Sequence, residues 1–526
     1  MDSTVMDNWW LLAVPANCFL FSALNAFLLV FFSFMATMCV YWAWPGGPAW
    51  GKYWSAKGLF RRAGPTIPGP RGWPLIGSLN LMTGLPHRRL QATASRLGAV
   101  RLMAFSLGET RAIITSHPDV AKEILNSSAF ADRPIKESAY GLMFHRAIGF
   151  APYGPYWRGL RRIAATHVFS RKQINGSEPR RLEIAALMTD ALAEAAKDGR
   201  DFRIRRLLKR ASLNNVMATV FGRRYEFDQA EPEAVELSQL VEEGYEILGT
   251  LNWSDHLSLL DGLDLQGVRR RCSKLVPHVN RFVKGLLEEN RVGLAGETAN
   301  FARVLMSMEG SEKLSEDDMV AVLWEMIFRG TDTVAILIEW ALARLALHPD
   351  VQARVHEELD IVVGPTRHIS EADLPNLPYL NALLKETVRL HPPGPLLSWA
   401  RLSTVDTTVD GRHVPQGTTA MVNMWAIARD PSLWPDPLAF RPERFLDGED
   451  FSIMGSDLRL APFGSGRRSC PGKALGLKSV TIWVAYLLHE FEWRPSDKEP
   501  VDLTEVMRLS CEMKRPLAVK PWPRRR

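Results

Sequence analysis

Pro462-Phe463-Gly464-Ser465-Gly466-Arg467-Arg468-Ser469-Cys470-Pro471-Gly472 surrounds one cysteine with what an iron-bound thiolate needs. Glycines at 464, 466 and 472 let the backbone fold tightly and point amide N–H groups at the sulfur. An apolar helical pattern then runs from about Lys473 through Trp483, so its N-terminus also stabilises negative charge there. Cys470 is therefore the candidate axial haem ligand. A phosphate-binding loop is the rival reading, but five residues separate Gly466 from Gly472 where four are required, counting to the Gly-Lys pair. Ala474 also stands in place of the magnesium hydroxyl.

The run matches Phe-x-x-Gly-x-Arg-x-Cys-x-Gly at Phe463, Gly466, Arg468, Cys470 and Gly472. This resembles the signature of the cytochrome P-450 superfamily, the haem-thiolate monooxygenases. Three further motifs support the resemblance in the expected order. Gly330-Thr331-Asp332-Thr333 lies inside a helical pattern that starts at the cap Ser315, with Asp318 three residues on, and runs past Trp340 toward His348-Pro349. It resembles the superfamily's oxygen-activation motif: Thr333 would hydrogen-bond the oxygen ligand, Asp332 would relay protons, and Gly330 would let the backbone come close. Glu386-Thr387-Val388-Arg389 puts a carboxylate and a guanidinium on one helix face, and Pro442-Glu443-Arg444-Phe445 follows. By resemblance, Glu386, Arg389 and Arg444 form a buried structural triad. Trp157 and Arg161, at i, i+4 spacing, resemble the pair that reaches one haem propionate, with Arg468 on the other and Arg401 a third candidate.

Membership of the superfamily implies a mainly α fold. The cytosolic chain would be a helical triangular prism with a small β-rich region, haem b lying between the long helix and the cysteine loop. From residues alone, Val100–Leu107 and Thr110–Thr115 read as strands joined by a turn at Gly108-Glu109. Ser138–Arg146 and Pro395–Trp399 would, by resemblance, supply pocket walls, and Cys511 another wall position.

The 526 residues carry a net charge of +6, too mild and interrupted for nucleic acid to be the partner. Five scattered cysteines give no disulfide framework and indicate a reducing compartment. Cys18–Trp44 holds no charged residue, and its 27 positions can reach ~40 Å against a ~30 Å hydrocarbon core. Trp9, Trp10, Tyr41, Trp42 and Trp44 stand at its ends; Asp2 and Asp7 precede it, and Lys52, Lys57, Arg61 and Arg62 follow. The expected organisation is a lumenal segment 1–17, an uncleaved transmembrane signal anchor 18–44 and a basic flank with a proline-rich hinge 45–74. A catalytic domain 75–526 follows on the cytosolic face of the endoplasmic reticulum. The sequons at Asn126, Asn175 and Asn252 are then chance matches.

No dinucleotide fingerprint opens a strand–helix unit, so electrons must come from outside. The resemblance implies an NADPH-dependent reductase on the same bilayer, docking near Arg158, Arg162, Arg467, Lys473 and Lys478. It implies insertion of one oxygen atom into an apolar small molecule. Two other classes stay open: a reductase-independent haem-thiolate isomerase or dehydratase, and a non-catalytic membrane haem sensor. A closer resemblance, to plant family seventy-eight, subfamily A, rests on three segments. These are Phe130-Ala131-Asp132-Arg133-Pro134, the run from Gly149 to Arg158, and Phe328-Arg329-Gly330-Thr331-Asp332-Thr333-Val334. That group is linked to organ, seed and reproductive growth, with fatty-acid hydroxylation proposed for some members. Arg329 replaces the superfamily's usual small residue and shares a helix face with Thr333. It either pairs with Glu325 one turn earlier or contacts a polar group of the substrate.

Overall fold

The computed structural model describes residues 9–57, 66–227, 231–292, 300–397, 400–446 and 451–524. Asp2, Asp7, Arg61, Arg62, Gly64, Pro65, Ser398 and Trp399 lie outside them.

Local sequence sets many helix starts. Pro48, Pro86, Pro118, Pro155 and Pro378 each open a helix, where the missing N–H costs no hydrogen bond and the ring pre-sets φ. Glu316–Leu347, the 32-residue central helix, is capped by Ser315, whose hydroxyl accepts from the Asp318 N–H. Three acidic residues occupy its first turn, where the helix dipole favours them.

Around this helix the fold is mainly helical. Met319–Phe328, its first half, packs into one apolar cluster with Leu142, Phe144, Leu237, Val241 and Tyr245. Ala335–Ala346 packs into a second with Leu380, Leu383, Val480 and Trp483. Residues 329–334 fall at the junction of the two.

Strands Met103–Leu107 and Thr110–Thr115 form an antiparallel hairpin, with Leu107 opposite Thr110 and Gly108 at φ +53° in the turn. Thr419–Val422 adds in parallel to the second strand, and Arg401–Leu402 completes the four-stranded sheet at its edge. This sheet carries Arg401 toward the cysteine loop. Two-stranded ribbon Glu505–Met507/Cys511–Met513 forms near the C-terminus, with Met507 opposite Cys511.

One helix, Trp9–Ala43, is long and apolar, and its stretch Ser22–Val40 has the length and composition to cross a membrane. None of that stretch is buried in the protein: Phe27, Leu29 and Val30 are each more than 60% exposed. The segment after it is more ordered than its composition suggests. Pro48–Ala56 is a helix docked on the hairpin, with Trp50 buried and its indole N–H donating to the Phe105 carbonyl at 3.1 Å. Ser106 Oγ ties this helix on by donating to Gly46 O at 2.7 Å and accepting from Ala49 N.

Candidate functional site

The cysteine loop is built from two left-handed turns, Gly464 and Gly466 both at φ +67°. Cys470 N donates to Phe463 O at 2.9 Å, closing the loop, and the Gly472 N–H donates to the sulfur. Gly466 serves a different contact: a Cβ there would stand 2.1 Å from the Leu125 carbonyl oxygen. Burial pushes the Cys470 thiol up, while the Arg329 charge, the Gly472 amide, Arg161 and Lys473 pull it down. The residue keeps some accessible area.

The opposite wall is the junction of the central helix. Met326, Arg329, Gly330, Thr333 and Val334 retain accessible area at i, i+3/i+4, i+7 spacing, while the flanking helix surface is buried. Because the Arg329 charge acts on the Cys470 thiol, this strip faces the cysteine loop. Arg329 and Thr333 thus share one face.

Asp332 lies about 100° round the helix from Thr333, on a different wall. Its carboxylate accepts from Lys209 Nζ at 3.3 Å and borders a cleft of about 570 Å³ lined also by Arg205, Glu242, Arg508 and Glu512. Burial raises its pKa and Lys209 opposes that shift. Gly330 is needed where the helix Arg205–Val220 crosses: a Cβ would meet Val216 Cγ2 at 2.3 Å. Thr331 caps back onto its own helix, donating to Ile327 O at 2.8 Å.

Five arginines converge on the junction. Arg161 donates to Ser469 O at 2.9 Å and Arg401 to Ser465 O at 3.1 Å. Arg468 donates to Ala131 O and Ala151 O, stacks over the Trp157 ring at 4.2 Å, and lies 3.5 Å from Asp132. Trp157 gives its indole N–H to Ile148 O at 3.0 Å. Arg133 reaches Gly149 O and Ala400 O, and Arg329 completes the set. Burial and mutual repulsion lower Arg401 to about 9 and Arg468 to about 10, and hold Arg133 well below its usual value. Such depression, in side chains that ordinarily stay protonated, marks a positive site suited to a buried dianion.

A second acid beside this cluster is Glu325, 4% exposed, whose oxygens accept from Gly149 N at 2.9 and 3.1 Å. Burial raises its pKa; Arg329 is the largest charge opposing this, and Arg133 contributes. A Cβ on Gly149 would stand 2.2 Å from Glu325 Oε1. No local pattern marks Arg133, Asp132 or Gly149 as site residues, because the partners that bring them here, Ala400, Arg468 and Glu325, are distant in the chain.

A thiol beside a cationic cradle fits iron protoporphyrin, which brings a metal for the sulfur and two carboxylates for the arginines. The donor set is complete in kind.

Glu386 and Arg389 form a doubly hydrogen-bonded pair at 2.7 and 2.8 Å, and Arg444 Nε joins Glu386 at 3.1 Å, all three side chains being almost fully buried. Arg389 also donates to Ala428 O and Pro437 O, so the group ties the helix Pro378–Leu390 to the loop that leads toward Cys470. Of the basic residues expected at a reductase face, Arg158, Arg162 and Arg467 are exposed. Lys473 instead donates to Met454 O, Lys478 pairs with Glu371 at 2.7 Å, and Arg162 pairs with Glu312. Cys511 is 4% exposed and packs beside His87 and Glu505.

Comparison with known proteins agrees with this geometry. A family model described as Cytochrome P450 matches residues 67–517. The chain is 58% identical over 523 residues to "Cytochrome P450 78A9" of Arabidopsis thaliana, covering 98% of this chain and 97% of the relative. It is 57% identical to "Cytochrome P450 78A3" of Glycine max over 100% of both chains. "Flavonoid 3'-monooxygenase" of Arabidopsis thaliana is 36% identical over 87% of this chain and 91% of that one. Among solved structures, "Zebra fish cytochrome P450 another structure with Progesterone" superposes with a TM-score of 0.70 at 27% identity, covering 84% of this chain and 99% of the other.

Proposed function

This chain belongs to the cytochrome P450 family of monooxygenases, its relatives at 57–58% identity bearing 78A names, and from that premise we propose a specific reading. The protein is a membrane-anchored haem-thiolate enzyme that inserts one oxygen atom into an apolar small molecule, a fatty acid or related lipid, with electrons from an NADPH-dependent reductase. Residues 18–44 form the anchor and 75–526 the catalytic domain on the cytosolic side of the endoplasmic reticulum. The growth-control role implied by the plant relatives belongs to the same proposal.

The convergence of Cys470 and the buried arginines on one strip of the central helix carries this reading. When bound, haem b supplies activation of dioxygen for transfer of a single atom. Cys470 would hold the iron, its sulfur charge supported by the Gly472 N–H. Arg161, Arg401 and Arg468 would hold the two carboxylates, with Arg133 adding field and Trp157 keeping Arg468 in place. Phe463, Gly466 and Gly472 keep the loop's shape.

Thr333 would present a hydroxyl proton at Oγ1 on the strip that faces the cysteine loop. Asp332 borders the cleft, where Lys209 donates to it, and a raised carboxyl suits a group that must take up and pass on protons. The acid–alcohol pair therefore links the cleft side of the helix to the cavity side. That pairing favours oxygen insertion over rearrangement or sensing. Behind this strip the helix is backed by a buried aromatic cluster, Phe328 lying 4.4 Å from Tyr245 and 5.1 Å from Phe144 between ring centroids, which holds the helix in place.

The test is stoichiometry. With reductase and lipid extract supplied, NADPH and oxygen should be consumed in step with a hydroxylated product identified by mass spectrometry. Product formed without reductase would move the protein to the isomerase or dehydratase class, and haem binding with no turnover of any extract would favour the sensor.

A further inference from the structure

Away from the haem-thiolate site, three metal-ligating side chains meet inside the protein. His87 stands in the helix Pro86–Arg96; Glu505 and Cys511 come from the two strands of the C-terminal ribbon. One ligand atom from each lies within 4.8 Å of the others. His87 is 0% exposed, and its Nδ1 has no hydrogen-bond partner. Its Nε2 is 3.5 Å from Glu505 Oε2, a long ion-pair contact that is also close to the spacing of two ligands on one ion. A fully buried imidazole that leaves one nitrogen unmatched and holds the other at the limit of hydrogen bonding is costly unless something else engages it.

We propose that His87, Glu505 and Cys511 form a second metal site, selective for a thiophilic divalent ion and best suited to zinc. Imidazole, carboxylate and thiolate are the zinc donor set, and softness of the sulfur disfavours magnesium or calcium. Three protein ligands leave a fourth position for a water molecule.

His391 does not supply that fourth ligand. Its Nε2 accepts from Arg344 Nε at 2.9 Å, so the proton sits on Nδ1, 3.8 Å from Glu505 Oε1. His391 instead flanks the site, its ring stacked on Trp340 at 3.9 Å and its Nδ1 beyond hydrogen-bond distance of the Glu505 carboxylate. Arg88 pairs with Glu505 at 2.7 Å, but its side chain is 48% exposed and is free to swing into water when an ion takes the carboxylate. Arg429 is held elsewhere, on the carbonyls of Leu390 and Trp425. Metal binding would release the Cys511 thiol proton to solvent, exchanging the S–H bond for a bond from sulfur to the ion.

The consequence would be a staple. Between Glu505 and Cys511 the ribbon turns through Arg508 and Ser510, which together with Glu512 border the cleft at Asp332. Metal binding would fasten that ribbon to the helix Pro86–Arg96, which carries His87.

The experiment uses untagged, haem-loaded full-length protein equilibrated with zinc, freed of excess by chelating resin and analysed for zinc and iron together. Wild type should retain one zinc per chain beside its iron. Cys511→Ser and His87→Gln should each bind zinc ~10-fold or more weakly with iron unchanged. X-ray absorption at the zinc edge of the wild type, which requires no variant to fold, should show one sulfur at about 2.3 Å with nitrogen and oxygen neighbours. Zinc absent from the wild type, zinc with only nitrogen and oxygen neighbours, or zinc held equally by both variants overturns the proposal.

Discussion

Single residues decide the site's chemistry by what burial does to their charges. Glu386 is the clearest case, its carboxylate shared by Arg389, Arg444 and the Arg441 amide with no side-chain exposure. Replacing Glu386 by Gln strands two guanidiniums, so stability should fall by about 3–5 kcal/mol with loss of haem, read as melting temperature and iron content. Thr333 carries a different kind of prediction. Thr333→Ala removes the hydroxyl at the accessible strip, so NADPH oxidation should continue while hydrogen peroxide replaces product; unchanged coupling would take Thr333 out of the mechanism. Lys136 gives a pH signature. Half-buried and donating to Leu248 O, its ammonium is lowered by desolvation from 10.5 to about 8. The unfolded chain therefore binds more protons between pH 8 and 10.5, and stability should rise with pH across that window. Lys136→Met should flatten this rise in chemical denaturation curves. Arg329 is decided by comparison: if Arg329→Ala and Glu325→Ala shift product pattern differently at equal haem content, Arg329 meets the substrate. Identical loss of stability with an unchanged product pattern makes it the partner of Glu325 alone.

Elements succeed or fail at close crossings. Val216 Cγ2 occupies the space a Cβ at Gly330 would need, so Gly330→Ala should destabilise by about 1–3 kcal/mol, and Val216→Ala should restore much of it. No such rescue exists for Gly466→Ala, where the obstacle is the Leu125 carbonyl and φ is +67°. Legibility in the sequence follows the same division. The Ser315 cap, the hairpin turn at Gly108 and the cysteine loop depend on neighbours a few residues away, and sequence alone reveals them. Glu325 with Gly149, 176 residues apart, and Lys209 with Asp332, 123 apart, are set by how helices pack, and no local pattern announces them. The helix Pro48–Ala56 is not legible locally, because its proline and glycine neighbours resemble a spacer while its stability comes from burying Trp50 against the sheet.

At the scale of the whole molecule the anchor and the catalytic fold are separable. Ser22–Val40 buries nothing against the protein, whereas Trp50 is part of the core. Removing residues 1–44 should release much of the protein from membranes with haem retained. Extending the cut through residue 57 should instead destabilise the fold, since it removes the Trp50 and Ser106 contacts. Some membrane affinity should survive the shorter cut, because Trp253, Leu259, Leu263 and Leu265 remain exposed in one segment. Everything proposed for activity rests on Cys470 as the iron's ligand in the arginine cradle. The most direct measurement is the absorption spectrum of the reduced carbon monoxide complex, taken for wild type and Cys470→Ser at matched protein concentration. Wild type should give the red-shifted Soret band diagnostic of thiolate ligation and the variant should lose it; the same band in Cys470→Ser would contradict the account at its centre.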